Sequence, residues 1–238
     1  MLEENPMLEP EHFPKLDALS PDGSYVGVVP DTIEFTTEID PKAAADKAKP
    51  LALKWINNAI LILNTCIHSI QRPGVPHISA QIGLPILRRH FHTERIRPGT
   101  TEIDAFRRIE QNFQSMRRCL SVSDAIFESA DDETSALNTR GVFGSGPIVA
   151  AYVYTMKSIS FTSHFPRLGP NCKAAVIIHE LAHYLDQRFG HTGGEFGPAY
   201  DHSDFETALF NVYCYPNFAV NATPPYRNEF YGLSRPDV

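Results

Sequence analysis

Residues 179–183 read His-Glu-Leu-Ala-His, and this pentapeptide constrains the chain more than any other segment. Side chains at i and i+4 share one face of an α-helix, so the two imidazoles can reach a single ion. Glu180 stands beside His179, where its carboxylate can take a proton from a metal-bound water. Zn²⁺ lowers the pKa of bound water towards ~7, and a carboxylate beside that water completes a nucleophile at neutral pH. The pattern therefore predicts zinc on His179 and His183, with Glu180 as general base. In a chain of this composition the bare pattern arises by chance about three times in a hundred, so its surroundings decide its weight.

Those surroundings favour a buried helix. Residues 173–178 are apolar and helix-compatible, Pro170-Asn171 supplies a stop and an N-cap, and Gly190 supplies a C-terminal stop. Ala174, Ile177, Ile178, Leu181, Ala182 and Leu185 fall on the side expected to face the core. Two histidines and a glutamate on such a helix each need a partner, which a shared ion supplies.

The 238 residues are 42% hydrophobic and 21% charged, the balance of an ordinary globular chain. A net charge of -7 argues against nucleic acid as a partner. The densest basic stretch, Arg88 to His92 followed by Arg95 and Arg97, is read as a helix end and loop. The longest apolar run, Ala59–Leu63, is too short to cross a bilayer, so no membrane partner is expected. The first thirty residues carry no basic start and no apolar core of a signal peptide. This predicts a cytoplasmic chain or one exported by a signal-independent route. Cys66, Cys119, Cys172 and Cys214 are widely spaced and read as free thiols. Asn221-Ala-Thr223 is a formal glycosylation sequon and is set aside.

Along the chain, residues 1–40 read as an irregular proline-bearing arm with a strand candidate at Tyr25–Val29, and residues 41–238 as a single domain. Asp40-Pro41 opens a helix that runs to Ile70 with an interruption at Pro50. Residues 71–99 read as loop with a short helix over Leu84–Phe91. Thr101-x-x-Asp104 begins the next helix, and Ala125–Phe127, Ile148–Tyr154 and the alternating stretch 157–165 read as strands. The segment Asp131–Gly146 between strands reads as a loop or hairpin tip, and Ser203-x-x-Glu206 as a capping box for a helix through Phe218, bent at Pro216. The expected fold is α+β: N-terminal helices, a small antiparallel sheet, the buried His-Glu-x-x-His helix and a closing C-terminal helix.

Two segments together resemble one family. The stretch Phe161–Phe165, a short loop and Ala174–His183 is similar to the strand-to-helix passage of the aspzincin metallopeptidases, the deuterolysin and lysine-specific endopeptidase group. The segment Ala208–Ala219 resembles that group's terminal helix, with Asn211 and Tyr215 four residues apart and Phe218-Ala219 after them. The resemblance spans residues 148–222 and implies a zincin-like fold and a zinc endopeptidase acting on protein or peptide substrates. The family's third ligand is an aspartate in a Gly-Thr-x-x-Asp-x-x-Tyr-Gly motif, and this chain has no such motif.

Between His183 and Ser203 the chain offers Asp186, His191, Glu195, Tyr200, Asp201 and His202. Asp186 lies a turn along the helix and is better placed as an outer partner or helix-end group. His191 follows Gly190, a residue suited to reversing the chain, and ranks first as third ligand, before Asp201 and Glu195. Tyr200 is the tyrosine of this loop and the expected donor to the oxyanion of a tetrahedral intermediate. The leading functional expectation is a zinc-dependent endopeptidase. Its competitors are a zinc hydrolase of a non-peptide amide and a non-catalytic partner-binding module. Retention of Glu180 speaks against the module, since a purely structural site needs the histidines and not that carboxylate.

Overall fold

The computed structural model describes residues 40–72, 74, 78–122, 126–130, 150–153, 157–194 and 197–225. The expected strand at Tyr25–Val29, the loop at Asp131–Gly146 and the candidate ligand Glu195 lie outside them. Three long helices come first: α1 (Pro41–Gln71), α2 (Ile78–Phe91) and α3 (Glu102–Val122). Strands β1 (Phe127–Ser129), β2 (Ala150–Val153) and β3 (Ser158–Phe161) follow, then α4 (Pro170–Leu185). Three short helices close the described chain: α5 (Pro198–Asp201), α6 (Phe205–Leu209) and α7 (Cys214–Asn221).

α1 starts where its sequence says. The Asp40 carboxylate accepts from the amides of Lys42 and Ala43, and Pro41 occupies the first turn, where no amide is needed. The helix runs unbroken through Pro50 and buries Ala45, Ala52, Ile56, Ala59, Leu63 and Cys66 along one stripe. It has the length and apolarity of a membrane-crossing helix, yet half of that apolar window is buried inside the fold against α2, α3 and α4. α2 is one and a half turns longer at its start than the expected Leu84–Phe91 helix. α3 opens with the reciprocal pair Thr101 and Asp104: the Asp104 amide donates to the threonine hydroxyl at 3.1 Å, and the Thr101 amide to the carboxylate at 3.3 Å. Its buried face is Phe106, Ile109, Phe113, Met116 and Leu120.

The sheet corrects one expectation. Its order is β1-β3-β2, and it is mixed, because β1 runs parallel to β3 with Phe127 opposite Ile159. β2 alone runs antiparallel to β3, with Ala150 opposite Phe161. All four residues of the central strand are buried, so the alternation in 157–165 does not mark an exposed face.

α4 lies in the core, with every residue from Ala174 to Ala182 buried. A helix apolar on all sides is one that neighbours enclose. Gly169 is its N-cap and Pro170 its first residue, so Asn171 is not the cap; it ends at Asp186, short of Gly190. The closing helix is divided. Asp204, not Ser203, caps α6 by accepting from the Thr207 amide at 2.8 Å, and Glu206 is turned outward into a two-pronged pair with Arg108 at 2.5 and 2.8 Å. Residues 210–213 interrupt the helix before α7, and Pro216 sits harmlessly in the first turn of that last element.

All four cysteines are free thiols, three of them buried. Asn221 of the sequon is buried, with its side-chain amide 2.8 Å from His90 Nε2, and so is closed to glycosylation in the folded chain.

Candidate metal centre

α4 presents His179 and His183 one turn apart, and the chain then returns. After Asp186 the backbone makes a turn closed by Phe189 N–H donating to the Asp186 carbonyl at 3.1 Å. Gly190 next forms a parallel bridge with Asn211, and His191 follows directly. The reversal freedom expected at Gly190 is used elsewhere. Gly193 and Gly194, just past His191, hold φ of 95° and 69°, a region that side chains with a Cβ rarely enter.

The result is a cluster of three imidazoles with their Nε2 atoms turned inward. His191 Nε2 lies 3.2 Å from His179 Nε2 and 3.3 Å from His183 Nε2. One ring nitrogen from each of the three lies within 4.8 Å of the others, close enough to hold one metal ion. His183 Nδ1 is 3.2 Å from the Phe189 carbonyl. A carbonyl can only accept, so that nitrogen carries the proton and Nε2 keeps its lone pair for a ligand bond. His179 is buried, His183 half-buried and His191 exposed, so the cluster opens to solvent on the His191 side.

Electrostatics hold the cluster neutral. Burial, reinforced by the neighbouring imidazoles, pushes His179 well below the usual histidine range and His183 down to about 4. Burial lowers His191 as well. The neutral imidazole is the form that binds a metal, so few protons compete for these nitrogens at neutral pH. Glu180, one residue past His179, is 7% exposed and enclosed by the fold.

The other sequence candidates are placed elsewhere. Asp186 is the helix-end group, with its carboxylate held by Arg188 at 2.7 Å. Asp201 and His202 are exposed at the end of α5, and neither joins the histidine cluster. Tyr200 corrects the oxyanion expectation. It is fully buried, and its hydroxyl is 2.7 Å from His90 Nδ1. Its carbonyl is 2.7 Å from His92 Nε2, and Arg95 donates to the carbonyls of Asp201 and Ser203 at 2.7 and 3.2 Å. The basic stretch after α2 thus pins the 198–203 turn from below, and Tyr200 is the peg.

The tyrosine beside the histidines is Tyr213. Its ring centroid lies 4.9 Å from that of His179 and 5.3 Å from that of His191. Nothing local in the sequence marks it, because both contacts are made across the fold. Tyr215, part of the aspzincin resemblance, is a core residue. Its hydroxyl donates to the Leu209 carbonyl at 2.8 Å and accepts from Asn112 at 2.7 Å, and its ring packs among Phe91, Phe113 and Phe189.

Comparisons with protein-family models, with curated proteins and with solved structures found no match to this chain.

Proposed function

We propose that the chain is a zinc-dependent metallopeptidase, zincin-like in organisation, whose ligands are His179, His183 and His191. The observation that carries this reading is the convergence of the three Nε2 atoms. Zinc at ~2.0–2.1 Å from each nitrogen in a tetrahedron places neighbouring donors about 3.3–3.4 Å apart. The spacings of 3.2 and 3.3 Å from His191 to His179 and His183 are close to that figure. Three imidazole nitrogens with no thiolate suit zinc, and a zinc held by them would have a coordination position left for water or substrate. The ligand set departs from the aspzincin pattern, with a histidine in place of the aspartate.

Zinc, when bound, supplies a Lewis acid and brings the pKa of water towards ~7. The protein's own contribution centres on Glu180. Its carboxylate takes the proton from the attacking water and passes it to the leaving amine. Its burial withholds it from bulk water. The exposed His191 side is the direction from which an extended peptide reaches the site. His183, held by the Phe189 carbonyl, keeps the ring orientation that the ligand bond needs.

The test is zinc stoichiometry on the purified chain together with hydrolysis of denatured proteins, set against small amides. One zinc per chain and chelator-sensitive proteolysis are expected. Glu180→Gln should keep the metal and the fold while losing at least about 100-fold in rate, as for removal of a general base. Unchanged turnover in that variant would overturn the mechanism.

A further inference from the structure

His191 stands on a loop outside the helices, and one buried side chain in the break between α6 and α7 holds that loop. We propose that Asn211 is the positioning residue for His191, and that segment 210–213 exists as a non-helical insert to carry it. The inference rests on the metal-site reading above and adds to it the device that fixes the geometry of the site.

The turn bearing His191 is stitched down on both sides. Before it, Gly190 N–H donates to the Phe210 carbonyl and Val212 N–H to the Gly190 carbonyl, each at 3.0 Å. After it, Asn211 Nδ2 donates to the Gly194 carbonyl at 2.8 Å. The other end of the same side chain, Oδ1, accepts from the Tyr213 amide at 3.1 Å. Within the turn, Gly194 N–H donates to the His191 carbonyl at 3.0 Å. Asn211 is fully buried, and both ends of its amide are used. Gly193 makes room for it, since a Cβ there would lie 3.2 Å from Asn211 Nδ2.

The chemistry selects asparagine. The position needs one donor and one acceptor facing opposite ways. Aspartate keeps the acceptor and sets a negative oxygen against the Gly194 carbonyl; alanine removes both bonds and leaves a buried void. A continuous helix through 210–213 would put these backbone groups into intrahelical bonds and leave nothing for Gly190. The interruption frees them, and it also lays the Tyr213 ring against His179 and His191. His191 thus meets the metal preorganised by its backbone, where an untethered exposed loop would sample many positions and bind more weakly.

The experiment compares the wild-type chain with Asn211→Ala and Asn211→Asp in three readouts. Zinc affinity, by competition with a chromophoric chelator, should fall by about 10- to 100-fold in both, the range typical for loss of a residue that orients a ligand. The visible spectrum of the cobalt-loaded protein at saturating metal should change in band position or intensity. A residue that serves stability alone would leave that spectrum untouched. Amide exchange in the metal-free chain should accelerate at residues 190–194 and not in α4. If wild-type protein takes up no zinc, the metal-site reading fails, and the exchange pattern still decides whether Asn211 holds the loop. Should alanine unfold the chain, the aspartate variant carries the same comparison. Equal zinc affinity, an unchanged cobalt spectrum and unchanged exchange at 190–194 in a folded variant would overturn the proposal.

Discussion

The Nε2 atoms of His183 and His191 lie 3.3 Å apart, one on a buried helix and the other on the loop that returns from it. His183 donates through Nδ1, so its Nε2 keeps a lone pair facing His191, and the fold holds the two nitrogens at a separation that one ion could bridge. This arrangement separates two of the candidate third ligands, His191 and Asp201. His191→Ala should weaken zinc binding by at least about tenfold, whereas Asp201→Ala should leave it unchanged, because Asp201 is exposed and outside the cluster. Metal retention after dialysis against a buffered chelator checks this. If Asp201→Ala strips the metal and His191→Ala does not, the ligand set is the aspzincin one.

Tyr200→Phe distinguishes a structural tyrosine from a catalytic one. The Asn221 amide nitrogen donates to His90 Nε2, so His90 Nδ1 carries the proton and donates to the Tyr200 hydroxyl. Removing that oxygen takes away the buried hydrogen bond to His90, a loss of about 1–3 kcal/mol. Denaturant midpoint should fall accordingly, with kcat on a peptide substrate reduced no more than the folded fraction requires. A rate loss of 100-fold in a fully folded variant would return Tyr200 to the active site.

What could be read from the sequence and what could not divide along one physical line. Asp40-Pro41, Thr101-x-x-Asp104 and the His179–His183 helix were legible because caps and helical spacing are local chemistry, written within a few residues. The mixed sheet was not, since a strand's direction relative to its neighbour depends on the route of the chain between them. The break at 210–213 was hidden for a related reason. Its residues have a helical pattern, and the hydrogen bonds to Gly190 and Gly194, made across the fold, favour a turn in place of continuous helix. Two tyrosines divide in the same way: Tyr200 is the one expected beside the site, and Tyr213 is the one whose ring lies against His179 and His191. Proximity in sequence to the metal loop pointed to one, and packing brought the other to the histidines.

Stability should fall with acid through His90. The residue is fully buried, and burial, helped by the charges of Arg89 and His92, takes its pKa down to about 3. Its unfolded value is near ~6.5, so below that pH the unfolded chain binds a proton that the native one refuses. The native contribution is complete above the unfolded value and is lost as pH falls towards the folded one. Protonation would also face a second N–H against the Asn221 amide nitrogen. A slope of up to about 1.4 kcal/mol per pH unit from this group is expected between those limits. Replacing His90 with glutamine should flatten the urea-midpoint profile across that range. An unchanged slope would show that the acid sensitivity resides in other groups.

Gly83 sets the spacing of α1 and α2, and enlarging it should loosen the scaffold without touching the metal. A Cβ at this position would lie 2.5 Å from Ile62 Cγ2 and 2.8 Å from Cys66 Sγ, both on the buried side of α1. Ile62 is β-branched and confined in its rotamer, and Cys66 is a short side chain with no exposure, so neither can swing clear. Overpacking of this kind typically costs about 1–3 kcal/mol, while alanine in a helix recovers up to about 1 kcal/mol over glycine. Gly83→Ala should therefore lower stability by roughly 1–2 kcal/mol, measured by urea denaturation. The double variant Gly83→Ala with Ile62→Ala removes Cγ2 from the crowded side, and a cycle against the two single variants tests whether the clash is local. Recovery of at least half the loss places the strain at that contact. A stabilised single variant would mean that α1 and α2 are not packed at this distance.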